Sequence, residues 1–210
     1  MSRIRTFALQ SALLLALAAF AAAPALAWTP FAFTSSERYE FHVKRFEHSY
    51  WDDEEPQVSE YFYTLTVKET GAASPDGEPL FDVTTSYRRL LSESRLQESL
   101  SFGVFAFENM LVFGGPFELS FVLGALPDME FEVGERMTIL GLGRLSIVDE
   151  ETLAGRTGLV VRLEVGESGN RRVAYDWTID RALPLPLAVR QYDDEGRLTM
   201  ETTLVEYEAL

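Results

Sequence analysis

The sequence predicts a mainly β protein: a curved antiparallel sheet or open half-barrel with an apolar helical insert near residues 103–126. Three observations carry this expectation. Apolar and polar residues alternate with period two over most of the chain, the pattern of strands buried on one face. Turn clusters rich in Gly, Asp and Ser separate those runs at short intervals, as successive antiparallel strands require. One central stretch drops the alternation for a nearly uncharged run dense in phenylalanine.

The first 27 residues are expected to be a secretory signal peptide. Arg3 and Arg5 supply a positive start, Leu13 to Phe20 an apolar run, and Ala25-Leu26-Ala27 the small-x-small pattern that signal peptidase accepts. The apolar run falls short of the roughly 20 residues a membrane span needs, and Pro24 interrupts it before the cleavage pattern. No Arg-Arg pair marks a twin-arginine route and no cysteine follows for lipid attachment, so no stable span is expected after cleavage. Residues 28–210 are then expected to form one β-rich domain, periplasmic or secreted, long enough to bury a core of its own.

Its first strand lies where Tyr39, Phe41 and Val43 alternate with Glu40, His42 and Lys44. The acidic loop Asp52 to Pro56 precedes a second, with Tyr61, Tyr63, Leu65 and Val67 on one face, and the Gly71 to Pro79 cluster marks a turn. Phe81, Val83, Thr85 and Tyr87 make a third strand, whereas residues 88–98 fit either its continuation or a short helix. From Phe131 onward, strands are expected near 131–140, 143–149, 158–166, 171–180, 186–193 and 197–208. The turns between them hold Gly141 and Gly143, Gly155 and Gly158, the run Gly166 to Asn170, and the run Asp193 to Gly196. Short connections of this kind favour a meander or open barrel over a parallel sheet.

The central stretch, residues 99–127, holds Phe102, Phe105, Phe107, Phe113, Phe117 and Phe121 against two charges, Glu108 and Glu118. Leu119, Val122, Leu123 and Leu126 follow helical spacing, with Pro116 and Glu118 suited to a first turn and Pro127 to a stop. Residues Gly103 to Phe113 fit a helix or a buried strand equally. A plain core helix pair accounts for such a stretch. So does a lining or cover for an apolar cavity, in which Phe102, Phe105, Phe107, Phe113, Phe117, Phe121 and Leu123 would contact a ligand. An acyl chain suits such a cavity, because each buried methylene gains about 0.8 kcal/mol. A transmembrane hairpin fits poorly, since Glu108, Glu118 and Gly114-Gly115-Pro116 leave no clean span. A transmembrane barrel fits poorly too, because Glu37 to Glu47 and Leu198 to Glu208 put charges where lipid-facing residues belong.

Charge narrows the partners. The chain carries 33 acidic and 18 basic residues, net −15, and every acidic residue lies beyond position 27. A surface this negative repels phosphate backbones and anionic headgroups, so nucleic acid is not expected. Catalytic signatures are absent: there is no Gly-x-Ser-x-Gly elbow, Ser-x-x-Lys, phosphate loop or His-Glu-x-x-His. With no cysteine and only His42 and His48, which lie about 20 Å apart along an extended strand, neither a metal site nor a cofactor is expected. The acidic runs Asp52 to Glu55 and Asp193 to Glu195 lack the alternating ligand spacing of a calcium loop.

The most distinctive text closes the chain: Tyr175-Asp176-Trp177-Thr178-Ile179-Asp180, then Leu183-Pro184-Leu185-Pro186-Leu187, then Asp193-Asp194-Glu195-Gly196-Arg197-Leu198. It resembles the W-x-D, L-P-L, D-x-G-x-L hairpin of the periplasmic LolA/LolB-like superfamily and of related uncharacterised secreted β proteins. The resemblance covers the C-terminal third and implies an open half-barrel with helices over an apolar interior that receives acyl chains. It matches no lid residue by position. Together these readings lead to the expectation of a non-enzymatic periplasmic protein that binds a lipid or lipoprotein acyl chain in cell-envelope maintenance. The alternative is an interaction module whose Phe-rich insert docks on an envelope partner.

Overall fold

The computed structural model describes Trp28, Leu126, Gly141 and residues 32–49, 55–89, 129–139, 143–167 and 169–210. Among them nine strands form one antiparallel sheet in the order β3-β2-β1-β9-β8-β7-β6-β5-β4. The strands are β1 (Glu37–Glu47), β2 (Gln57–Ala73), β3 (Pro79–Arg88), β4 (Arg136–Ile139), β5 (Gly143–Leu153), β6 (Arg156–Val165), β7 (Arg172–Ile179), β8 (Ala188–Tyr192) and β9 (Leu198–Ala209). Every strand pairs with its neighbour in sequence except β3 with β4, and β1 pairs with β9. This is the strand order of an up-and-down barrel left open at one seam. The chain between Arg88 and Arg136, which contains the Phe-rich stretch, covalently joins the two edges of that seam.

The expectation of a mainly β protein built on an antiparallel sheet therefore holds, and the sheet of the described residues is not closed. The helical insert near 103–126 lies outside the described residues apart from Leu126, which is buried and accepts a hydrogen bond from the Met129 N–H at 3.1 Å.

Period-two alternation works as expected, because it sorts side chains onto an apolar and a charged face. One facing row on the apolar side runs Ile147, Val161, Trp177, Val189, Thr202, Val43, Tyr61 across seven strands. On the other side Arg162, Asp176, Arg190, Glu201, Lys44 and Glu60 face one another across six, alternating in sign. A slip of one residue would turn every charge inward and every apolar group out, so the two rows together fix the register.

Four boundaries differ from the expected ones. β2 runs through Gly71 to Ala73; the glycine, at φ +69°, sits in a register shift instead of ending the strand, and the turn closes over Ser74 to Glu78. Residues 131–135 form a turn held by the Glu135 N–H to Glu132 carbonyl bond, so β4 keeps only four residues. β5 continues past 149 through a bulge between Ile147 and Asp149. Gly158 is a β6 residue and not part of the turn: a Cβ there would stand 2.8 Å from the Ile179 carbonyl carbon, so glycine permits a close approach of β6 to β7. The turn itself is Ala154-Gly155, both at positive φ, as a two-residue hairpin demands.

Two clusters make the core. The first gathers Leu145, Ile147, Val161, Leu163, Tyr175 and Trp177 with Trp28, Leu126 and Met129, which come from outside the strands. The second gathers Tyr39, Phe41, Tyr61, Tyr63 and Leu204 with Leu183, Leu185 and Leu187. The Pro-spaced leucines turn the chain between β7 and β8 and bury all three side chains, which gives the L-P-L-P-L text its structural meaning.

Candidate functional site

The apolar face of the sheet carries both core clusters. Its central side chains are essentially inaccessible: Phe41, Val43, Leu145, Val161, Leu163 and Val189 are 0% exposed. Aromatic residues concentrate here. Tyr175 stacks on Trp177 with centroids 5.0 Å apart, Tyr39 stacks on Phe41 at 6.2 Å, and Tyr61 tilts against Tyr87 at 4.7 Å. Such rings offer flat, apolar walls with few rotatable bonds to restrict.

Polar groups gather at one end of this face. Buried Glu37 accepts hydrogen bonds from Ser35 Oγ at 2.8 Å and from the Tyr39 hydroxyl. Burial first, and the Glu37 carboxylate second, push the Tyr39 phenol far above its ordinary range, so it stays a neutral donor. Arg156 pairs with Asp180 at 2.7 Å and lies over the Tyr207 ring. This end is a fixed polar rim.

Two indoles enter the first cluster and differ in one respect. Trp28 donates its Nε1–H to the Leu183 carbonyl at 2.7 Å. Trp177, 1% exposed, finds no acceptor for its Nε1–H among the described residues.

The charged face carries a concavity of about 520 Å³, with Glu151, Arg162, Asp176, Arg190 and Tyr192 in its wall. Beyond its bulge β5 passes over this face, because Glu151, whose ladder partner is Gly158, reaches β7 and β8. Arg190 donates to Glu151 at 2.6 and 3.0 Å and to Glu201 at 3.0 Å, and Thr178 Oγ1 donates to Glu151 at 2.7 Å. Arg162 grips Asp176 through two bonds of 2.8 Å, and the Tyr192 hydroxyl adds a third at 3.2 Å. The Arg190 hydrogen bond, then that of Thr178, hold the Glu151 carboxyl below its usual range, while the same pair raises the Arg190 guanidinium further. Glu151 is thus an anion bound to a cation at neutral pH, suited to fastening β5 onto β7 and β8 and unsuited to giving up a proton. Glu151 in this way covers Thr178, which is 0% exposed, while Arg162 and Tyr192 cover Asp176 on the same face of β7.

The residues expected to contact a ligand, Phe102, Phe105, Phe107, Phe113, Phe117, Phe121 and Leu123, lie outside the described residues. The histidines are separated: His42 stacks on Phe62 and meets Glu60 at 3.1 Å, whereas His48 reaches the Leu198 carbonyl at 2.8 Å. No group of three His, Asp or Glu side chains is arranged for a metal ion among the described residues. Sequence reasoning missed the lone Trp177 N–H and the Glu151 overhang. The first had a visible signal, an indole at an apolar strand position, and the second, which depends on a bulge, had none.

Comparison with known proteins finds no matching family model and no matching curated protein. Solved structures do match. The chain resembles MucB (14% identity, TM-score 0.37, covering 84% of this chain and 54% of that one). It resembles likewise the Pseudomonas aeruginosa MucA/MucB complex (15%, 0.36, 83% and 52%). A putative outer membrane lipoprotein-sorting protein domain from Vibrio parahaemolyticus also matches (11%, 0.23, 83% and 85%). The chain spans about half the length of the MucB chains it matches.

Proposed function

We propose that this chain is a non-enzymatic periplasmic protein that binds an apolar ligand, a lipid or lipoprotein acyl chain, against the apolar face of its open sheet. One observation carries the reading. A barrel strand order is left open at a single seam, and the chain joining the two edges of that seam is the Phe-rich stretch. Closing the barrel would need β3 to pair with β4, and among the described residues β4 is four residues long and forms no ladder with β3. In this reading Phe102, Phe105, Phe107, Phe113, Phe117, Phe121 and Leu123 contact the ligand along with the sheet. The leader-like first 27 residues support export. The charge row on the other face argues against a lipid-facing barrel wall, and among the described residues no helix is long and apolar enough to cross a membrane.

The test is organic extraction and mass spectrometry of protein purified from the periplasm without detergent, together with titration of an uncharged apolar fluorophore. Co-purified acyl species and saturable fluorescence gain are expected. Bare protein that also fails to bind the fluorophore refutes the reading.

A second reading, docking of an envelope protein partner, draws on β3. This edge strand exposes Leu80 at 45% and Val83 at 57%. It predicts that Leu80→Ser together with Val83→Ser abolishes capture of a partner while the intact protein takes up no fluorophore.

A further inference from the structure

β3 ends the sheet: among the described residues it pairs with β2 alone, and the backbone groups along its other edge meet no ladder. Such an edge invites another strand, and soluble proteins blunt it with prolines, bulges or charges. β3 is weakly blunted. After Pro79 it contains no proline, and from Phe81 to Arg88 it runs opposite Glu69 to Phe62 without a register shift. Val83 lies on the apolar face opposite Val67, yet it is 57% exposed where Val67 is 1% exposed. The strand's two charges, Asp82 and Arg88, have opposite signs and share the other face. Lys68 stands opposite Asp82, and Arg88 lies over the Phe62 ring. Arg88 meets Glu40 at 3.7 Å, which leaves its side chain 71% exposed.

From this edge we infer that β3 is a self-association surface whose occupant is β3 of a second copy, paired antiparallel about a two-fold axis at Thr85. Side chains alternate between faces, so the apolar and charged faces continue across the pair only when the axis passes through a residue. With Thr85 on the axis, Asp82 faces Arg88 of the second copy and Arg88 faces its Asp82, while Val83 and Tyr87 face each other in both directions. Opposite charges, and an aromatic against a β-branched residue, are stabilising cross-strand pairs. Neighbouring registers lose the match. An axis at Thr84 sets Asp82 against Ser86 and Arg88 against Leu80, and one at Ser86 sets Arg88 against Thr84 and leaves Asp82 beyond the end of the strand. Copies of a chain with net charge −15 repel one another, whereas β3 is a strip whose charges balance and attract when it meets itself. This association is separate from acyl binding and does not depend on it.

The experiment follows the purified protein by sedimentation velocity over a concentration series. Wild type should pass from monomer to dimer with a dissociation constant of about 1–100 μM. Asp82→Arg and Arg88→Asp each set like charges face to face twice, and each should weaken the dimer about tenfold or more. Mixing the two variants puts opposite charges back at both positions, so a heterodimer should form with an affinity within about threefold of wild type; that recovery also shows both variants to be folded. The register is read by disulfide trapping, since the chain has no cysteine of its own. Thr85→Cys brings two thiols together on the axis and should cross-link, whereas Thr84→Cys leaves them on a diagonal of about 7–8 Å, too far to bridge. Protein that stays monomeric, a dimer indifferent to both reversals, a mixture that fails to recover, or cross-linking through Thr84→Cys as readily as through Thr85→Cys overturns the inference. Capture of an unrelated protein at β3 by a chain that never dimerises overturns it too, in favour of the partner-docking reading.

Discussion

Replacing Glu151 with Gln keeps the side chain's shape and removes the charge that fastens β5 over β7 and β8. Glu151 receives two bonds from Arg190 and one from Thr178, and the two ionic side chains are 27% and 22% exposed. Well-shielded hydrogen bonds to a charge contribute about 1.5–3 kcal/mol, whereas exposed ion pairs contribute about 0–1. This pair lies between those limits and Arg190 keeps Glu201, so the expected loss is about 1–2 kcal/mol. In a domain of this size each kcal/mol moves Tm by about 2–4 °C, which gives a fall of about 2–8 °C at pH 7. The pH dependence carries a sign. Arg190 first, then Thr178, depress the folded carboxyl below its ordinary value of 4.5, so the folded state binds fewer protons than the unfolded one. The contribution is complete above that ordinary value and disappears as pH falls through the depressed folded one. Urea unfolding followed by circular dichroism at a series of pH values should show wild type and Glu151→Gln well separated at pH 7 and converging in acid. A gap that stays constant into the acid range would show that shape, not charge, fastens β5, and would refute the reasoning.

Further perturbations test the packing. Trp28→Ala removes a 3%-exposed indole and its bond to Leu183, and should cost about 3–5 kcal/mol in chemical denaturation; Trp28→Phe, which loses chiefly the hydrogen bond, should cost about 1. Gly158→Ala drives a Cβ into the Ile179 backbone and should lose about 2–3 kcal/mol, whereas Gly155→Ala, with open space around it but φ at +74°, should lose about 1–2. Equal effects at the two glycines, measured by thermal unfolding, would contradict the close approach of β6 and β7.

How far the sequence reveals this molecule depends on the range of the interaction. Tyr39, Phe41 and Val43 announce β1 because alternation is a local property of a strand with one face in the core. The turn at Asp193 to Gly196 is equally legible: the Asp193 carboxylate collects the N–H groups of Glu195 and Arg197, and Gly196 takes positive φ. Gly71 and Gly158 mislead for a shared reason. A glycine signals unusual backbone without saying whether the need is a turn, a bulge or a close neighbour, and only the pairing partner decides. The alternating charge row is present as Lys44, Arg162, Asp176 and Arg190, but its meaning requires registers set by strands far apart in the chain. The same holds for the site. An indole within Tyr175 to Asp180 is plain to see, yet that its N–H lacks a partner depends on everything packed around it.

The proposed function places the ligand against the apolar face of the open sheet. Photo-cross-linking with a diazirine-bearing acyl ester, mapped by tandem mass spectrometry of the labelled peptides, tests it most directly. Labels should fall on Val161, Leu163, Tyr175 and Trp177, and methyl laurate should suppress them. Labels confined to the charged face, around Val58 and Phe62 or around Arg162 and Arg190, or labelling that excess methyl laurate leaves unchanged, would contradict it.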